Sequence, residues 1–201
     1  MIVLVTYATN SGSTEEVAQA VAEELRRGCA QVEVRPLEEV TSLEPYSAVV
    51  IGAPMILGWH RAALGFIKRH QKALSRVPVA YFYTAMSLTQ TDDPCVDGVP
   101  VSVDAAMAKA PHNPGRLSIH ERYSSVSNYL RPALKAASAV KPVSAGFFGG
   151  KLELFRLKLL HMLFVMLLIR AQPGDYRDWT FIRAWAAQLR ATLQLDVRAA
   201  A

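Results

Sequence analysis

Short unbroken apolar runs alternate along this chain with longer stretches in which apolar positions recur at helical spacing. Ile2–Tyr7 shows no polar alternation, the pattern of a strand covered on both faces. Val17, Ala18, Val21, Ala22 and Leu25 then follow a helical period, with Ser13 or Thr14 placed to cap that helix and Gly28 to close it. Gln31–Arg35 alternates, with Val32 and Val34 on one face, and reads as a strand nearer the sheet's margin. Ser47–Gly52 contains the buried run Ala48-Val-Val-Ile51, and Arg61–Leu74 is a helix with apolar positions at Ala63, Leu64, Phe66, Ile67 and Leu74. Val77–Tyr83 and Lys141–Phe148 supply a fourth and a fifth strand, with helical composition over Arg122–Ala139 between them. Helices over Leu152–Arg170 and Asp178–Leu195, parted by the turn Gln172-Pro-Gly-Asp175, finish the pattern. Ser87–Leu117 fits neither period; with Pro94, Pro100, Pro111 and Pro114 it reads as a long excursion or lid.

Buried strands alternating with helices predict an α/β fold built on a parallel sheet. Right-handed crossovers bring the loops Thr9–Thr14, Ala53–His60 and Thr84–Thr89 to one carboxyl edge. In such sheets ligands bind on that edge, where the strand order reverses. The length of 201 residues suits one domain with its own core.

Composition changes this picture in three places. Hydrophobic residues make up 51% and charged ones 19%, with a mean hydropathy of +0.16, and the apolar excess is concentrated in Leu159–Ile169. The net charge of +5 suits an anionic ligand or an anionic membrane surface. Nucleic acid is not expected, because the Lys and Arg residues are dispersed and not interleaved with aromatics. Cys29 and Cys95 form no CxxC or Cys/His cluster, which argues against a disulfide framework or a metal site and for a reducing compartment. Met1-Ile-Val-Leu-Val lacks a basic region and a cleavage site, and reads as a strand, not an export signal.

The chemistry lies in Thr9-Asn-Ser-Gly-Ser-Thr14. A hydroxyl-rich loop between a buried strand and a helix start offers free amides at the positive end of the helix. It is neither G-x-x-x-x-G-K-[ST] nor G-x-G-x-x-G. Lacking a lysine and an obvious magnesium ligand, it suits one terminal monophosphate dianion better than a triphosphate.

Thr9–Thr14 resembles the flavodoxin phosphate loop, T/S-x-T/S-G-x-T. Further stretches are similar to one branch of the flavodoxin-domain family, that containing menaquinone-dependent protoporphyrinogen IX dehydrogenase. These are Val49–His60, Ala80–Thr89, Phe148-Gly-Gly-Lys-Leu152, Gly174-Asp-Tyr-Arg-Asp-Trp179 and Ile182-Arg-Ala-Trp-Ala186. The resemblance covers most of the chain, roughly Asp92–Leu117 excepted. It implies a flavodoxin-like doubly wound five-stranded sheet of order 2-1-3-4-5, with FMN at the switch point. The expected domain is 1–196, with an excursion at about 89–117 and a tail over 197–201.

By the same resemblance Thr9, Asn10, Ser11, Gly12, Ser13 and Thr14 cradle the phosphate. Ala53, Pro54, Met55, Ile56, Leu57, Gly58 and Trp59 form the second flavin loop, with Gly58 as candidate for a redox-linked peptide flip. Trp59 either stacks on the ring or packs beside it. Thr84, Ala85, Met86, Ser87, Leu88 and Thr89 form the third loop, facing the pyrimidine edge. His60 is the candidate acid–base group, or else a helix-start residue or flavin neighbour. Lys151 and Arg156 could pair with porphyrin carboxylates. Gly174–Trp179 reads as a turn and cap, with Asp178 the N-cap of a helix that buries Trp179, Ile182, Trp185, Ala186 and Leu189.

The activity implied is transfer of electrons from a reduced organic substrate, such as a porphyrinogen, through FMN to a quinone. A non-catalytic flavodoxin-type carrier is the alternative, and a flavin-free binding module a third. Segment 152–170 has three readings: a buried helix, an oligomer contact, or a membrane-surface patch where a quinone is met. The expected location is cytoplasmic, with room for peripheral contact on the inner face of the membrane.

Overall fold

The computed structural model describes residues 1–28, 31–55, 58–89, 94–113, 115–152 and 174–193. In chain order the strands and helices begin with β1 (Ile2–Tyr7), α1 (Ser13–Arg26), β2 (Gln31–Pro36), β3 (Ala48–Pro54), α2 (Arg61–Leu74) and β4 (Val79–Ala85). Four short strands follow, β5 (Leu88–Thr89), β6 (Cys95–Val96), β7 (Val99–Val103) and β8 (Ala108–Lys109). Helices α3 (Ile119–Tyr123) and α4 (Val126–Ala136) lead to β9 (Ser144–Gly149), the pair β10 (Lys151–Leu152) and β11 (Gly174–Asp175), and α5 (Trp179–Thr192).

The main sheet runs β2-β1-β3-β4-β9-β7-β6. Its first five members are the doubly wound order 2-1-3-4-5 of the expected strands, all parallel. Alternate side chains enter two cores. Leu4, Val49, Ile51, Tyr81, Tyr83 and Phe147 face α2 and α4; Val3, Val5, Val50, Phe82 and Phe148 face α1 and α5. Double-sided burial is why these strands carry no polar alternation.

The sheet has two strands more than expected, both from the excursion. β7 lies parallel to β9, with Val101 opposite Ala145 and Val103 opposite Phe147. β6 is antiparallel to β7, and the turn between them places Asp97 at φ 50° and Gly98 at φ 85°. Positive φ at both central residues is the two-residue hairpin geometry that Asp-Gly favours. The excursion is thus partly a sheet extension, with Pro100 tolerated beside the edge strand. Buried Asp104 anchors its return by accepting from the amides of Ala106 (2.8 Å) and Gly149 (3.4 Å).

Several boundaries also differ from the sequence pattern. The fourth and fifth strands begin at Val79 and Ser144, just past Pro78 and Pro142, which have no amide to give a ladder. Helical composition over 122–139 is divided, because the Ser124 carbonyl accepts from Thr89 N–H and the Ser125 hydroxyl caps α4 through Asn128 N–H. Neither Ser13 nor Thr14 caps α1: Gly12 holds the N-cap at φ 88°, with no side-chain cap. A glycine cap in place of Ser or Thr costs only roughly a few tenths of a kcal/mol. The buried face of Val17, Ala18, Val21, Ala22 and Leu25 outweighs it, at roughly 1.5–3 kcal/mol for each large side chain. The apolar helix expected beyond Leu152, and the end of the last helix past Leu193, lie outside the described residues.

The entry to α3 is a reciprocal capping box. The Glu121 amide donates to the Ser118 hydroxyl, and Glu121 accepts from the amides of Ser118 (2.7 Å) and His112 (2.6 Å). Those bonds to the ionised form, led by that from His112, lower the Glu121 carboxyl from its ordinary 4.5 to about 2. Because the folded value is depressed, the contribution is complete above 4.5 and is lost as pH falls toward 2. The amide resonances of His112 and Ser118 should therefore titrate with a midpoint near 2. A midpoint near 4.5 would show that the box does not form.

Candidate functional site

The strand order reverses between β1 and β3, so the loops leaving these two strands diverge and open a crevice at the carboxyl edge. The first of them, Thr9–Thr14, folds back on itself: Gly12 N–H donates to Thr9 Oγ1 at 2.9 Å, and the Gly12 carbonyl accepts from Glu15 and Glu16. The left-handed Gly12 admits that turn without a Cβ clash. The amides of Ser13 and Thr14 occupy the first turn of α1, where no intrahelical acceptor exists. One anionic charge at a helix start gains about 0.3–1 kcal/mol from the helix dipole, so the loop's own hydroxyls and amides must add to it.

Two contacts clasp this loop to its neighbours. The buried Thr14 hydroxyl meets that of Thr84, at the end of β4, at 3.2 Å. His60 caps α2: its Nδ1 accepts from Ala62 N–H, which leaves the proton on Nε2 to donate to Asn10 Oδ1 at 3.2 Å. Burial lowers the His60 pKa, partly opposed by Glu38, and favours this neutral ring. Both imidazole nitrogens are engaged, so here His60 is a clasp between the first and second loops.

In the second loop Ala53 and Met55 are buried, Pro54 and Gly58 are half-buried, and Gly58 has φ 122°. An antiparallel bridge joins Met55 to Trp59, while Ile56 and Leu57 lie outside the described residues. Trp59 is 3% exposed, with its ring 4.7 Å from that of Tyr83 and 5.1 Å from that of Tyr81. Among the described residues, its Nε1 and the Tyr83 hydroxyl are both buried without a hydrogen-bond partner. The third loop divides. Thr84, Ala85, Met86 and Ser87 stay at the edge of the crevice, beside Gly150, whose amide donates to the Ala85 carbonyl at 2.7 Å. Leu88 and Thr89 instead form β5 against β8 and are buried.

Gly174–Trp179 does more than turn and cap. Asp178 caps α5 through the amides of Thr180 and Phe181, as expected. Arg177, however, reaches the loop Thr9–Thr14 at Ser13, which the sequence pattern does not show. Its guanidinium, 2% exposed, donates to Asp175 at 2.6 and 2.8 Å, to Glu16 at 2.9 Å and to the Ser13 carbonyl at 3.3 Å. It also lies 4.4 Å over the Trp179 ring. The Arg177 bonds hold the Asp175 carboxyl below the usual carboxylate range. Lys151 stands opposite Asp175 in the β10–β11 pair and adds to that effect; Arg156 lies outside the described residues.

The donor set of amides and hydroxyls at a helix start, with no cation in the loop, fits a phosphate monoester. A family model described as a flavodoxin domain matches residues 4–178. The chain belongs to the flavodoxin-domain family. Membership of that family supports a flavin cofactor. The chain is 33% identical over 85 residues to protoporphyrinogen IX dehydrogenase (quinone) of Escherichia coli strain K12. That match covers 41% of this chain and 47%, about half, of the Escherichia coli protein. A protein of the same name from Leishmania major is 22% identical over 201 residues, covering 94% of this chain and 74% of that protein. Among solved structures, a flavodoxin from Pseudomonas aeruginosa superposes with a TM-score of 0.53 at 11% identity, covering 96% of this chain and 99% of that one. A flavodoxin from the domain Archaea does so with 0.51 at 10% identity, covering 96% and 99%. These likenesses show the shared fold. Among the described residues, no helix is long and apolar enough to cross a membrane.

Replacing Gly12 by Ala tests the loop geometry. An alanine Cβ at φ 88° costs about 1–2 kcal/mol, read as a lower urea midpoint at unchanged slope. An unchanged midpoint would mean that the turn relaxes at no cost.

Proposed function

We propose that this protein is an FMN-dependent oxidoreductase that passes electrons from a reduced organic substrate, of the porphyrinogen class, to a quinone. The reading rests above all on the lysine-free cradle Thr9–Thr14, set at the switch point of a flavodoxin-family sheet. The amides and hydroxyls of Thr9–Thr14 would hold the phosphate, and the loops at Pro54–Trp59 and Thr84–Ser87 would flank the ring. Bound there, the flavin supplies the redox chemistry; the protein supplies position and environment.

The chain's own residues suit that task. Buried Trp59, Tyr81 and Tyr83 form an apolar bed beneath the second loop, which excludes water from one side of the crevice. Gly58, half-buried at φ 122° with open space at its Cβ position, leaves its peptide free to present either group. His60 keeps the first two loops together through a neutral ring. The substrate class comes from the named relatives in Escherichia coli and Leishmania major. The net charge of +5 favours an anionic substrate or surface, and weighs against the role of a carrier that docks on basic partners.

Two measurements test this reading. Purified protein should be yellow and release FMN on denaturation; release of FAD, or of no flavin, would overturn the cofactor assignment. Loaded protein should oxidise protoporphyrinogen IX with menaquinone as acceptor. Bound FMN without turnover would sink the substrate assignment and leave a carrier.

A further inference from the structure

The crevice presents an electrostatic problem that its own loop does not solve. Glu15 and Glu16 follow the cradle directly, in the first turn of α1, where their carboxylates oppose a phosphate dianion. Each has a partner from elsewhere in the chain. The Glu15 carboxylate lies beside the Tyr7 hydroxyl and, with burial the larger cause, pushes that phenol up to about 12, so that it stays a donor. Glu16 is held by Arg177, whose side chain is almost wholly buried.

We infer that Arg177 is the positioning residue through which this loop selects a phosphorylated flavin over an unphosphorylated one, an inference resting on the reading of the crevice as an FMN site. Two effects act together. The guanidinium pairs with Glu16 at 2.9 Å, offsetting part of that carboxylate's repulsion on a dianion. It also donates to the Ser13 carbonyl, and the peptide plane is rigid, so fixing that oxygen fixes the Thr14 amide in the opposite direction, out of the helix start. Thr14 is held independently through its hydroxyl on Thr84. Only a planar fork can serve Asp175, Glu16 and a carbonyl at once while stacking on Trp179, and an ammonium cannot. Arg177 touches the cradle's backbone and not its mouth: charge compensation comes from behind the loop.

Fluorescence titration of the full chain, stripped of flavin, with FMN and separately with riboflavin tests the inference. Arg177→Met should weaken FMN about 10- to 100-fold, the range for a lost charge-assisted contact, and change riboflavin by less than about threefold. Adding Glu16→Gln to Arg177→Met should restore part of the FMN loss. Glu16→Gln alone, at a side chain 48% exposed, should tighten FMN by about threefold without moving riboflavin, which keeps the test available if the arginine variant does not fold. Equal losses for both flavins, or no loss for either, would make Arg177 a structural residue only and overturn the inference. Failure of the parent chain to bind FMN would refute the cofactor reading itself, and the inference with it.

Discussion

A strand buried on both faces has no side chain to spare for a ligand. Every central strand here is in that position, its side chains divided between two helical layers and its backbone committed to parallel neighbours. Chemistry is therefore pushed to the strand ends, and within that edge to the one place where the chain reverses direction across the sheet. Trp59 illustrates the constraint: although it leaves a loop, it turns inward onto Tyr81 and Tyr83 and becomes part of the layer beneath the crevice.

The elements read most directly from the sequence are those in which burial and period agree. Ile2–Tyr7 and Ala48–Ile51 announce themselves as unbroken apolar runs, and α2 and α5 as helical stripes. The hairpin at Cys95–Val103 was masked by its prolines, which mark breaks in a central strand but are admissible beside an edge. Its Asp97-Gly98 pair was nevertheless a legible turn signal. The cap of α1 departs from the sequence pattern for a related reason: Ser13 and Thr14 have the right chemistry, but the left-handed conformation at the boundary selects Gly12.

The site was legible to the same uneven degree. Hydroxyl density after the first buried strand pointed to the cradle because all of it is local. Arg177 could not be read this way, since its partner Glu16 is 161 residues distant and no periodicity links them. A cation between two aspartates looks like surface charge; only folding shows that one aspartate caps a helix and the other shares the guanidinium with Glu16. Third-loop residues Leu88 and Thr89 show the converse, being close to the crevice in sequence yet drawn into a buried strand pair.

The β10–β11 pair has a consequence for the spacing of the chain along it. Leu152 stands opposite Gly174, so residues 153–173 begin and end at one point on the carboxyl edge. Closing a loop costs little more as it grows, about 0.6 kcal/mol for each doubling of length. A two-residue clasp of this kind therefore holds its flanking elements in register at little entropic cost for the length between them.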